Sequence, residues 1–580
     1  MLKDCIEIFE KELLSKGENL IIDNYLPSDG TYIIVSIKND EFFIKDVFDI
    51  KYNKKLNEIE GRENIHFKQI CEYDYNSKLI DMNKPIDTKK VIHSNNYLSF
   101  FIKKESITNK KITSEIIENY YKILSNPKLK YKTLKAKEIY NSVEENLEDI
   151  DQEFLQKIQL WIKENIFKLD NLGIEIKGKG EEYLKIFFEA PIEKYINEGN
   201  RYLIPNIYNK NDFNQIISNE VYGLHNNNMG LNSKKPYLEN KSRKTKVPYL
   251  LNQSEVLLQK KFFDYLLNLA SKGQVNVYIN DTGIKSFKND DMIDDKDFNG
   301  IYMRIKKGKE FKIQSYDLIT SYKYLLKKPF KLQNILDLSD KYIDNEYEEC
   351  GDRKKFQSVI NNVLFSKYLV NNYFTDAKDI SIKDNILKKN LLISRDKIFG
   401  YIYKGNEVGV YEILNKVSLE LIKNNIIIGN FIKASHQYNM RCSLENYFKG
   451  GVNMSDLIYD IKSKLREKIN SEDTQNIEDD KEYYFALGQF INYLLSKSKS
   501  NKKVHSLANP FINAKNDRII KDKLRNIYKK YNYDINMNSK RVNNLYAMIV
   551  SYESQGKVNQ DMIIAGYLHS NLIYEVNKGE

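Results

Sequence analysis

The densest chemistry in the chain lies in residues 222 to 250, YGLHNNNMGLNSKKPYLENKSRKTKVPYL. Between His225 and Pro248 stand six cations, Lys234, Lys235, Lys241, Arg243, Lys244 and Lys246, against one acid, Glu239. Lys and Arg at this density hold phosphates, with an affinity that falls as salt rises. Asn226, Asn227, Asn228 and Asn232 each carry a donor and an acceptor, suited to base edges or to bracing a kinked backbone. Tyr237 offers a ring for stacking on an exposed base. Pro236 and Pro248 limit helix, so the segment reads as an irregular exposed loop. A solvated lysine-rich loop is the plain alternative.

A second concentration of charge lies near the end. Residues 481–580 hold 16 Lys+Arg against 8 Asp+Glu, most of the chain's net +11. In NDRIIKDKLRNIYKKY the residues Ile520, Leu524, Ile527 and Tyr531 form an apolar seam, while Arg518, Lys521, Arg525 and Lys529 form a basic stripe on another face. That stripe reads as a phosphate-facing surface or as a solvated helix face.

Catalytic constellations are weak by comparison. Gly173 to Lys179 begins like a phosphate loop, but Gly180 stands where Ser or Thr must hold magnesium, and EEYLKIFFEA after it reads as strand. The histidines His66, His93, His225, His436, His505 and His569 are scattered without HExxH or HxH spacing. NDDMIDDKDF gathers Asp290, Asp291, Asp294, Asp295 and Asp297 without the glycine and terminal Glu of a calcium loop, and reads as a solvated acidic loop. No metal, no cofactor and no catalytic residue is expected.

The elements that must carry these surfaces follow from periodicity. Leu2, Ile6, Phe9 and Leu13 make one stripe of an opening helix that stops at Gly17. LIIDNYL and TYIIVSIK read as strands about a Pro27–Gly30 turn, and FIKKES, GIEIKG, YLKIFFEA and QVNVYI as further short strands. From KKFQSVINNVLFSKYLVNNYF onward the pattern is mainly helical, with NSEDTQNIEDDKE (470–482) a polar, mobile connection. The expected class is α+β: a mixed α/β domain over 1–447, then an all-helical bundle over 448–580. At 41% hydrophobic and 29% charged residues, the chain of 580 is globular, neither disordered nor fibrous. No apolar run is long enough for a bilayer, the start lacks a signal-peptide pattern, and Cys5, Cys71, Cys350 and Cys442 show no CxxC, so a cytoplasmic setting is expected. Lys, Asn, Ile and Tyr abound (43 Tyr against one Trp), as an A/T-rich gene would dictate, so the global charge carries less than its local concentration.

The 222–250 segment with LLQKKFFDYL after it, the later YYFALGQFINYLLSKSKSNKKVHSLANPFINAKN, and the opening MLKDCIEIFEKELLSKGENLIIDNYLPSDGTYIIV resemble the large subunit of the type I-B CRISPR interference complex, Cascade. The resemblance implies a non-catalytic subunit beside the 5′ handle of the CRISPR RNA. Such a subunit reads the protospacer-adjacent motif (PAM) on double-stranded target DNA, helps open the strands, and helps recruit the helicase-nuclease. Its partners would be the backbone, handle-binding and small subunits, with no membrane. An enzyme that processes nucleic acid through a dispersed metal-dependent site is the alternative. Lys449-Gly-Gly-Val-Asn-Met454 contains the chain's one Gly-Gly; in an A/T-rich gene its first three codons would read AAA-GGA-GGT, a match to a ribosome-binding sequence before an ATG. Translation from Met454 would release residues 454–580, and the resemblance agrees, since type I-B small subunits arise this way. An ordinary Gly-Gly turn is the alternative.

Overall fold

A computed structural model describes residues 2–53, 55–56, 58–78, 85–174, 180–208, 214–218, 220–225, 250–308, 311–450, 454–473, 475–498, 505–536 and 538–575. The chain divides into two compact units, 1–288 with 300–318, and 289–299 with 319–580. Mixed sheet and helix come first and a run of helices follows, so the fold is α+β.

The first unit contains α1 (Leu2–Lys16), α2 (Asn19–Ile22), β1 (Gly30–Lys38), β2 (Glu41–Asn53), β3 (Glu58–Glu60), α3 (Phe67–Ser77), β4 (Ser99–Lys103), α4 (Lys104–Thr108), α5 (Ser114–Ser125), α6 (Leu134–Glu144), α7 (Gln152–Asn165), β5 (Tyr183–Phe188) and α8 (Ile192–Ile207). It continues with β6 (Gln215–Ile217), β7 (Glu220–Tyr222), α9 (Gln253–Ser271), β8 (Asn276–Asn280), β9 (Gly283–Phe287), β10 (Phe298–Lys307) and β11 (Phe311–Tyr322). One sheet runs β3-β2-β1-β5-β4, with β1 and β5 parallel and the other pairs antiparallel. Ile33, Ile34 and Val35 of β1 are fully buried because helices cover both faces. Phe42 and Phe188 meet Trp161 of α7 on one face, while Phe187 meets Tyr73 of α3 on the other. A second sheet, β11-β10-β8-β9, packs α1 and α9 into a separate core.

Two expectations change here. TYIIVSIK is β1, but its hairpin partner is β2, joined through Asn39 and Asp40 at positive φ. Leu20 to Ile22 of LIIDNYL lie in a short helix, not a strand, and pack against α9. Three apolar residues fill a helical turn as readily as a strand, and burial decided between them. Of GIEIKG (173–178), residues 175–178 lie outside the described residues.

The second unit contains β12 (Leu325–Phe330), β13 (Cys350–Asp352), α10 (Arg353–Val363), α11 (Asn385–Lys404), α12 (Val410–Ile427), α13 (Phe431–Lys449), α14 (Met454–Asn470), α15 (Asp480–Ser496), α16 (Asn509–Ile512), α17 (Asp517–Tyr531), α18 (Lys540–Ser551) and α19 (Gln560–Leu568). Helices α15 and α19 cross at two glycines: a Cβ on Gly488 would lie 2.2 Å from the Ile563 carbonyl oxygen, and one on Gly566 would lie 2.1 Å from that of Phe485. The expected boundary at 447/448 falls inside this unit. One apolar core runs through it, joining Tyr438 and Cys442 of α13 to Ile458, Ile461 and the helices that follow. The acids of 470–482 are not a free connection among the described residues. Glu478 pairs with Lys464 and Lys468 of α14, Asp479 caps α15, and Glu482 binds Lys468.

Candidate nucleic-acid interface

The basic segment is built from its base. Gly223 and Leu251 exchange both backbone hydrogen bonds at 2.9 Å, and Tyr208 bridges to His225, so the chain leaves and returns at one fixed edge. Gly223 is required there, since a Cβ would lie 2.2 Å from the Tyr208 ring. Immediately beyond, Asn252 and Glu255 form a reciprocal capping box at the start of α9 (2.9 and 3.1 Å). Residues 226–249 lie outside the described residues, and with them Asn226, Asn227, Asn228, Asn232, Lys234, Lys235, Tyr237, Lys241, Arg243, Lys244 and Lys246.

Beneath this edge lies a buried polar cluster that sequence reasoning missed. His225 is 3% exposed, its Nδ1 2.9 Å from Gln259 Nε2, and burial pulls its pKa down to about 3. Its Nε2 and the Gln259 Oε1 find no partner among the described residues. One turn along α9, Asp264 accepts from Tyr75 Oη (2.9 Å) and from Lys260. Lys78 places its ammonium over the Tyr25 and Tyr75 rings (4.9 and 4.8 Å), and burial lowers its pKa. Burial alone would raise the Asp264 pKa, but Lys260 and Lys78 hold it below the usual value. Asp74 and Lys185 form a second buried pair (2.7 Å), with Tyr25 Oη donating to Asp74 (3.0 Å). The paired charges, Asp74 with Lys185 and Asp264 with Lys260, tie α3 to β5 and, through Tyr75, to α9.

The C-terminal stripe is partly as expected. On α17, Ile520, Leu524 and Tyr531 are buried, and Arg518, Arg525 and Lys529 are exposed. Lys521 instead turns inward: its ammonium donates to the Tyr552 carbonyl at the end of α18 and lies 3.7 Å from Asp517. Its place beside the seam, not within the outer stripe, brings that carbonyl within reach. Lys523 and Lys530 add exposed cations, and Asp522 lies 3.7 Å from Arg525. On α14 and α18, by contrast, the cations are spent inside the unit: Arg466 on Glu575 (2.7 Å), Lys468 on Glu482 (2.8 Å) and Lys540 on Glu472 (3.2 Å).

Gly450 ends α13 at φ +65°, a backbone reason for glycine independent of its codon, and Met454 opens α14. Residues 451–453 lie outside the described residues. In the acidic loop, Asp291 pairs with Lys354 and Asp297 accepts from Ser321 (2.8 Å). Among the described residues no group of three or more His, Cys, Asp or Glu could hold a metal ion. Besides His225, three histidines are tied structurally: His93 between Tyr183 Oη and the Lys90 carbonyl, His436 to Tyr347 Oη, and His569 to Ser570. All four cysteines are free and buried, and burial raises their thiol pKa values, to about 11 for Cys5 and about 12 for Cys71. Among the described residues no helix is long and apolar enough to cross a membrane.

No protein family matches the chain, and no curated protein or solved structure matches it either.

Proposed function

We propose that the chain is the non-catalytic large subunit of a type I-B CRISPR surveillance complex in the cytoplasm. In this role it binds the CRISPR RNA handle and its neighbouring subunits, recognises the PAM on double-stranded DNA, promotes R-loop formation and helps recruit the helicase-nuclease. The observation that carries the reading is the clamped edge at Gly223 and Leu251. The segment that carries the six cations, with Asn226, Asn227, Asn228, Asn232 and Tyr237, begins and ends at this edge. Phosphate contacts from such a segment position a duplex, and a few polar side chains read it. Base stacking is worth about 1.4 kcal/mol per step, so opening two or three steps takes roughly 3–4 kcal/mol. A few phosphate contacts with one base contact supply that. The exposed face of α17, with Arg518, Arg525 and Lys529, is the second phosphate-facing surface in this reading, and translation from Met454 supplies a separate small subunit.

The test is the salt dependence of DNA binding by the assembled complex. Lys244→Ala should weaken binding alike for all PAM sequences and lower the salt slope by about one. An unchanged slope removes Lys244 from the phosphate contacts.

A further inference from the structure

The second unit contains a groove of about 760 Å³ that the reading above does not use. It is lined by four cations, Lys296, Lys323, Lys327 and Arg353, and by one acid, Glu407, which Lys327 already engages at 2.5 Å. Arg353 is the unusual member. It is 5% exposed, donates from Nε to the Lys323 carbonyl (2.6 Å) and from Nη1 to the Tyr401 carbonyl (2.7 Å), and lies over the Tyr401 and Tyr322 rings. Among the described residues no carboxylate pairs with it. A buried guanidinium satisfied only by neutral groups keeps an uncompensated charge, and an anion in the groove would compensate it.

The rest of the groove narrows the class of anion. Lys296, Lys323 and Lys327 are exposed, and from Leu318 to Leu336 the chain carries four lysines and no acid. Leu325, 63% exposed, and Leu326 add an apolar wall beside the cations. The volume far exceeds a phosphate ion and suits a unit that joins a charged group to a flat apolar body. We propose that this groove binds one nucleotide unit of a single-stranded nucleic acid, its phosphodiester facing Arg353 and flanked by Lys323 and Lys327. The site is argued from its own residues and does not rest on the CRISPR reading.

The test places p-benzoylphenylalanine at position 325 of the full-length chain and cross-links it to a radiolabelled single-stranded DNA of about 20 nucleotides. Cross-linking is expected, and Lys323→Glu with Lys327→Glu should reduce it about tenfold, because two phosphate-facing charges are reversed on exposed side chains, with only the surface Lys327–Glu407 pair given up and thermal unfolding checked against the parent. Arg353→Gln should do the same, read only where its thermal unfolding matches the parent. Failure to cross-link, or cross-linking untouched by the lysine reversals, overturns the proposal. So does equal competition by inorganic phosphate or by polyglutamate at matched charge, since the site would then bind a free phosphate or an acidic peptide. The cross-link is expected even from chain that purifies without RNA, which separates failure here from failure of the proposed function.

Discussion

The residue with the clearest electrostatic consequence is His225. Folded, its pKa is about 3; an unfolded histidine titrates near 6.5. Between those values the unfolded chain binds the extra proton, so stability rises with pH across that window and falls as the solution is acidified. Taking pH 7 to pH 5 should remove about 2 kcal/mol through this group, and His225→Gln should flatten that part of the profile. Urea midpoints of both proteins at the two pH values decide it; parallel profiles would mean that the imidazole is not held neutral. Lys521 makes a second test at this scale. Because its ammonium serves the Tyr552 carbonyl, Lys521→Ala should lower the thermal midpoint while leaving nucleic-acid affinity unchanged. Arg525→Ala with Lys529→Ala should do the reverse. None of these buried partnerships was readable beforehand. Lys185 meets Asp74 across 111 residues of chain and Tyr75 meets Asp264 across 189, separations that leave no periodic trace in sequence.

At the scale of elements, the crossing of α15 and α19 depends on absent side chains. Gly566→Ala places a Cβ against the Phe485 backbone, which cannot rotate away, and should cost about 1–3 kcal/mol by overpacking. Thermal unfolding of the full chain measures it, and an unchanged midpoint would show that the helices separate freely. Elements with a strong period were legible in advance: α1 with its stop at Gly17, β1 from its buried β-branched run, and α17 from its seam of Ile520, Leu524 and Tyr531. The short ones were not. Leu20 to Ile22 carry too few residues to fix a period, and the acids after Asn470 look like a linker until Glu478 and Glu482 are seen on the lysines of α14. The base of the basic segment had one signal that was available, the N-cap pattern Asn252-x-x-Glu255, which marks where the loop must end.

Across the whole molecule, the charge is unevenly used. Cations on α14 and α18 are spent on internal pairs, those on α17 other than Lys521 are exposed, and six more cations lie in the sequence between His225 and Pro248. The internal product proposed from Met454 has a structural consequence. Residues 454–580 alone would uncover the apolar faces that Tyr438, Cys442 and Ala434 of α13 cover in the full chain. That product should therefore associate with itself or with partners, and silent recoding of the Gly450 and Gly451 codons should abolish it on an immunoblot against the C-terminus. A short product that persists after recoding would contradict the internal start.

The central claim is that the chain works inside an RNA-guided complex, and purification of the tagged full-length chain from its native operon tests it most directly, with mass spectrometry and RNA sequencing of what accompanies it. The account predicts a discrete short RNA with a repeat-derived 5′ end, several partner proteins, and a C-terminal fragment beginning at Met454. A chain that emerges alone and free of RNA, under conditions that keep its neighbours soluble, would contradict it.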